Sequence, residues 1–150
     1  MVKARDVAKL FLAWASENGD VITNLKLQKL LYYAQAWYLV NYDRRLFQDD
    51  IEAWEFGPVV RRLYGQWKQH KASPIPYQAT GREASKFQKH QLFFLEEFFR
   101  VFNNLSATAL VSMTHAEAPW KDAYSTCPNS VIAADVMKRF YRKLYTEKYG

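Results

Sequence analysis

Among the side chains able to carry acid–base or nucleophilic chemistry, His115 has the most suggestive neighbours. It lies in the run Leu110-Val111-Ser112-Met113-Thr114-His115-Ala116-Glu117-Ala118-Pro119-Trp120, with Glu117 two residues on and Asp122 beyond. An imidazole near carboxylates can exchange protons close to neutral pH, so His115 and Glu117 could serve a hydrolase. The same imidazole could instead hold a break between two helices by bonding free backbone groups. Cys127 is the one cysteine. With a distant histidine it could form a nucleophile pair, and as a lone thiol before Pro128 it could be an ordinary surface group. The histidines, His70, His90 and His115, are widely spaced, and neither His-x-x-x-His nor Cys-x-x-Cys occurs. No metal site is therefore expected. Glycine-rich phosphate loops and Gly-Lys-Ser/Thr are absent as well, so no cofactor is expected.

The elements that would position these groups are mostly helices. Val7, Leu10, Phe11 and Trp14 recur at helical spacing and predict a helix over 5–18, ended by Asn18-Gly19. Thr23 or Asn24 can cap a second helix over 25–41. There Leu27, Leu30, Leu31, Ala34 and Tyr38 form one stripe, Lys26, Lys29, Tyr33 and Trp37 another, and Gln28, Tyr32, Gln35 and Leu39 a third. A helix apolar or aromatic on nearly every side is central to a core. A short strand or hairpin is expected near 46–56, where Ile51 to Phe56 partly alternates. Gly57-Pro58 then reads as the entry to a helix over 59–69. A proline-containing loop over 71–82 precedes a fourth helix over 84–103. A fifth, capped by Ser106, runs to about 114, one further turn follows from Pro119 to about 124, and a last helix covers 134–148.

Composition supports one mainly α domain over 1–150, with six or seven helices and at most that short hairpin. Of its 150 residues, 49% are hydrophobic and 24% charged, enough to bury one core and too apolar for disorder. The N-terminus lacks the apolar core of a secretory signal, and no apolar run approaches the ~18 residues that span a membrane. A cytoplasmic location without membrane attachment is the expectation. The net charge is +6, which favours acidic partners, whether nucleic acid or an acidic protein surface. Lys138, Arg139, Arg142 and Lys143 line one side of the last helix. They could track phosphates or form a solvated face, and no nucleic-acid motif accompanies them. Five Trp, ten Tyr and ten Phe are more aromatic residues than a small core readily hides. Exposed aromatics beside cations mark protein interfaces, with Lys26, Lys29, Tyr33, Trp37, Trp54, Tyr64 and Trp67 as candidates.

Three segments, in order, carry a specific resemblance. They are Thr23-Asn24-Leu25-Lys26-Leu27-Gln28-Lys29-Leu30-Leu31-Tyr32-Tyr33-Ala34-Gln35-Ala36-Trp37-Tyr38-Leu39; then Leu46-Phe47 with Ile51-Glu52-Ala53-Trp54-Glu55-Phe56-Gly57-Pro58-Val59-Val60 and Leu63-Tyr64; then Leu110, Thr114-His115 and Pro119-Trp120. Together, over roughly 8–144, they resemble the Panacea domain of the SocA-like antitoxins, which includes phage-associated GepA-type proteins. The resemblance implies a helical fold without a catalytic centre, and an antitoxin that neutralises a protein toxin by direct binding. Delivery of the toxin to a AAA+ protease is the other mode it implies. Leu27, Leu30, Gly57, Pro58, His115 and Trp120 are then motif residues with structural roles. Where relatives tend to place Ser before the last helix, this chain has Ala133. Charge reversal at Lys26 and Lys29 is expected to weaken binding without unfolding the domain. The alternatives are a nucleic-acid-binding regulator and the His115/Glu117 hydrolase.

Overall fold

Seven α-helices and one two-stranded hairpin make up residues 1–149, the part of the chain described by the computed structural model. They are α1 (Ala4–Glu17), α2 (Asn24–Tyr42), β1 (Glu52–Trp54), β2 (Gly57–Val59), α3 (Arg61–Trp67), α4 (Lys89–Phe102), α5 (Ala107–Ala116), α6 (Ala118–Thr126) and α7 (Ala134–Tyr149). The mainly helical class expected from the sequence is the one the chain adopts.

The central element is α2, against which α1, α3, α4, α5, α7 and β2 all pack. Thr23 starts it, its Oγ1 accepting from the Lys26 N–H at 3.2 Å. Asp43 ends it in the left-handed conformation, φ 58°, with its N–H turned back to Leu39 O. Leu27, Leu30, Leu31, Tyr32, Ala34 and Tyr38 are buried between those ends. α1 packs its Val7, Leu10 and Phe11 stripe inward, with the Phe11 ring stacked on Phe99 at 5.1 Å and on Phe98 at 5.8 Å. Buried side chains from Val2 to Tyr141 join in one continuous core.

Three local expectations are corrected. Gly57-Pro58 does not open a helix. It forms β2, with Ala53 opposite Pro58 and Trp54 opposite Gly57, and the helix begins at Arg61. Gly57 has φ 112°, outside the helical region, and a proline at a strand edge loses no ladder bond. On its other side β1 meets 129–132, through Ala53 N to Ser130 O and Ile132 N to Ile51 O, both at 2.8 Å. The fourth helix is also shorter than expected. Residues Glu83–Lys86 form a 3₁₀ turn, Phe87 is extended, and α4 starts afterwards, with the Gln88 N–H held by the Gln91 side chain at 2.9 Å. Finally, α6 continues past one turn to Thr126, with Pro119 tolerated at its start.

Candidate functional site

The polar side chains of α2 face inward and hold backbone that has no helix or sheet partner. Gln35 accepts from Leu46 N at 2.7 Å and donates to Phe47 O at 2.6 Å. Gln28 accepts from Val60 N at 2.9 Å and donates to Asn24 Oδ1, while Asn24 donates to Tyr64 O at 3.1 Å. A buried amide left unpaired costs on the order of 1–3 kcal/mol, so these pairings fix where the 46–47 loop and the hairpin sit.

Lys29 continues that inner face. It is fully buried, and its ammonium donates to Pro58 O at 3.1 Å. Removal from water lowers its pKa to about 7. Gly57 makes room for the lysine stem. A methyl group there would lie 2.5 Å from Lys29 Cε and 2.9 Å from Thr114 Oγ1. Lys29, Gly57, Pro58 and Thr114 thus form one contact between α2, the hairpin and α5.

One turn further along α2, Tyr33 donates to Glu117 Oε1 at 2.5 Å, and Tyr141 of α7 donates to the same oxygen at 2.7 Å. Tyr32 and Tyr141 share a third bond at 2.9 Å. Because the single hydroxyl proton of Tyr141 lies toward Glu117, Tyr32 is the donor to Tyr141. Burial raises the pKa of Glu117, against the lowering influence of the two tyrosine bonds, and burial raises Tyr32, Tyr33 and Tyr141 as well. Glu117 has extended geometry between α5 and α6, so the carboxylate ties that break to α2 and α7.

His115 has different partners. Its Nε2 lies 3.1 Å from Glu55 O, and its ring stacks on Trp120 at 4.1 Å. Trp120 donates its indole N–H to Trp54 O at 2.7 Å. One residue of each motif, His115 of Thr114-His115 and Trp120 of Pro119-Trp120, therefore grips the hairpin backbone. Among the described residues His115 and Glu117 share no hydrogen bond. The His115 ring thus joins the end of α5 to the hairpin turn. Cys127 is exposed at the end of α6.

The candidate interface residues do not form one face. Lys29 is 0% exposed and Tyr33 1% exposed, so neither offers side-chain surface to a partner. This corrects the expectation for both, and for the paired charge reversal. A Lys29 carboxylate would face the Pro58 carbonyl inside the core and would test folding. Trp67 is buried too. Lys26 is half-buried, its ammonium on Asn103 O at 2.8 Å. Burial lowers its pKa, with Asp20 acting in the opposite direction. Trp54 and Tyr64 are brought together at 5.1 Å, both half-exposed, beside the exposed Phe56 of the hairpin turn. Half-exposed Trp37 instead meets Tyr141 and Tyr145 of α7. Leu27 and Leu30 are core.

The inward amides and the Glu117 cluster were not anticipated. Their signal is Gln28 and Gln35, two polar residues seven apart on a helix apolar or aromatic on nearly every side, which must find partners inside.

The fold and its internal polar contacts define a mainly helical domain in which one buried helix organises a hairpin and the surrounding helices. Residues 27–121 match the family described as Antitoxin SocA-like, Panacea domain. The chain is 33% identical over 129 residues to Antitoxin SocA of Caulobacter vibrioides (strain NA1000 / CB15N), covering 79% of this chain and 69% of that protein. No solved structure matches it. The chain belongs to the SocA-like antitoxin, Panacea domain family. No helix among the described residues is long and apolar enough to cross a membrane.

Proposed function

We propose that the chain is the antitoxin of a toxin–antitoxin pair in the cytoplasm, and that it neutralises a protein toxin by binding it rather than by catalysis. The observation that carries this reading is its likeness to Antitoxin SocA over more than two-thirds of that protein. The engagement of His115 by the hairpin turn and of Glu117 by Tyr33 and Tyr141 favours binding over hydrolysis. Lys26, Trp37, Trp54 and Tyr64 are the sequence candidates that keep accessible surface for the toxin. A few such aromatic anchors supply most of the affinity of a protein interface. The nucleic-acid alternative is less favoured, because no nucleic-acid motif accompanies the basic side of α7.

The test is affinity capture from the native host after nuclease treatment, followed by expression of each captured protein alone and with this chain. One stoichiometric partner that arrests growth alone, and is harmless with the chain, supports the reading. Nucleic acid as the sole ligand overturns it in favour of a regulator. Direct occlusion leaves the toxin's half-life unchanged in the neutralised cell. A toxin half-life shortened only when a AAA+ protease is present would replace occlusion by delivery.

A further inference from the structure

Four of the large apolar side chains left in solvent lie on two helices that flank Trp37. Phe93 and Val101 of α4 are 69% and 52% exposed, and Tyr145 and Tyr149 of α7 are 52% and 67% exposed. Trp37 connects the pairs. Its ring lies 6.4 Å from Tyr145, which in turn lies 5.1 Å from Tyr149. With Phe93, Phe94, Phe98 and Val101 it lines an open groove of about 350 Å³ between α2 and α4. An apolar patch of this kind, collected in one place, marks an interaction surface.

The charge beside the groove selects the occupant. α7 carries Lys138, Arg139, Arg142, Lys143 and Lys148 against only Asp135 and Glu147. Asp135 pairs with Arg139 at 3.7 Å, whereas Asp43 is shared by Lys138 at 2.6 Å and Arg142 at 3.7 Å, so there one negative charge meets two positive ones. Lys148 lies over the Tyr149 ring at 5.5 Å. On the α4 wall Glu97 is neutralised by Arg100 at 2.6 Å. The aromatic strip is thus bordered by surplus positive charge on the α7 side.

We propose that this groove seats an amphipathic, acidic helix of the partner protein. Apolar side chains at i, i+3, i+4 and i+7 lie against Trp37, Phe93 and Val101, and carboxylates on the helix flank face Arg142 and Lys148. The inference rests on the antitoxin reading, for which it names the toxin's contact.

The probe is a fluorescent, helix-stabilised peptide with Leu at that spacing and Glu elsewhere, titrated into the full chain and compared with its Lys-for-Glu counterpart. The expected result is saturable binding of the acidic peptide, at least tenfold weaker for the basic peptide and for the Phe93→Asp and Val101→Asp variants. Both positions are exposed, so the variants should keep the wild-type circular dichroism. No binding of the acidic peptide, or equal binding by both variants, overturns the proposal. So does binding to anionic lipid vesicles in place of the peptide, or a wild-type dimer that Phe93→Asp turns into a monomer. Growth rescue separates the two levels. Rescue by wild type that persists in both variants overturns the groove and leaves the antitoxin reading standing, whereas no rescue by wild type overturns that reading with it.

Discussion

At the scale of single residues, Lys29 is the most consequential group in the chain. Its folded pKa is about 7, against 10.5 for an ordinary lysine. Below pH 7 both folded and unfolded chains hold the proton, and the fold bears the full cost of a buried charge. Between about 7 and 10.5 the unfolded chain binds more protons, so stability rises with pH. Tyr32, Tyr33 and Tyr141, whose pKa values are raised in the fold, act in the opposite sense above pH 10, where the unfolded chain loses protons first. Urea denaturation should therefore show stability rising by a few kcal/mol from pH 7 toward pH 10 and falling above it. Lys29→Met should be more stable at pH 7 and should lose the rise. A Met variant that keeps the same pH slope would place the titration elsewhere. Gly57→Ala should destabilise by about 2–4 kcal/mol, because the methyl collides with the Lys29 stem and Thr114 at a backbone angle that alanine resists. Chemical denaturation at pH 7 measures it directly.

At the scale of elements, the helices are held to each other by hydroxyl and amide bonds as much as by apolar contact. Tyr141 is fully buried and links α7 to Tyr32 of α2 and to Glu117 at the α5–α6 break. Tyr141→Phe keeps the ring but leaves Glu117 with one fewer donor and Tyr32 without its acceptor. A loss of about 1–3 kcal/mol is expected in thermal or urea melts, and Tyr32→Phe should cost less, since only one bond goes. Equal losses for the two would mean that the hydroxyls are not chained in the order given above. Thr23→Ala removes the α2 cap and should cost about 1 kcal/mol. Because every neighbour packs on α2, that loss should lower the whole unfolding transition rather than fray one end, a distinction amide hydrogen exchange can read.

For the whole molecule, the excess positive charge and the scattered aromatic surface bear on association. A net charge of +6 on a chain of this size should accelerate encounter with an acidic toxin. The association rate should fall at least tenfold between 50 mM and 500 mM salt, while the dissociation rate changes little, as stopped-flow mixing would show. Trp54→Ala and Tyr64→Ala examine the hairpin face, and Trp37→Ala the face beside α7. Loss of growth rescue in one set and not the other would locate the toxin on one side of the molecule.

Local pattern determined much of this protein by itself. The helical class, the α1 and α2 stripes, the Thr23 and Ser106 caps and the family motifs are all written in residues a few positions apart, where turn geometry and hydrophobic period act directly. Tertiary structure decided what those motif residues touch. Lys29 reads as a surface cation because a buried, unpaired ammonium is normally too costly. It is inside because Gly57, 28 positions away, leaves space for its stem and Pro58 offers a carbonyl. His115 and Glu117 are neighbours in the chain, yet a helix break turns one toward the hairpin and the other toward α2 and α7. Adjacent aromatics of α4 fare differently: Phe98 and Phe99 are both buried, whereas Phe93 is exposed beside the half-buried Phe94. Which of them remained in solvent depended on where α2 and α7 came to rest, and no short-range pattern encodes that packing.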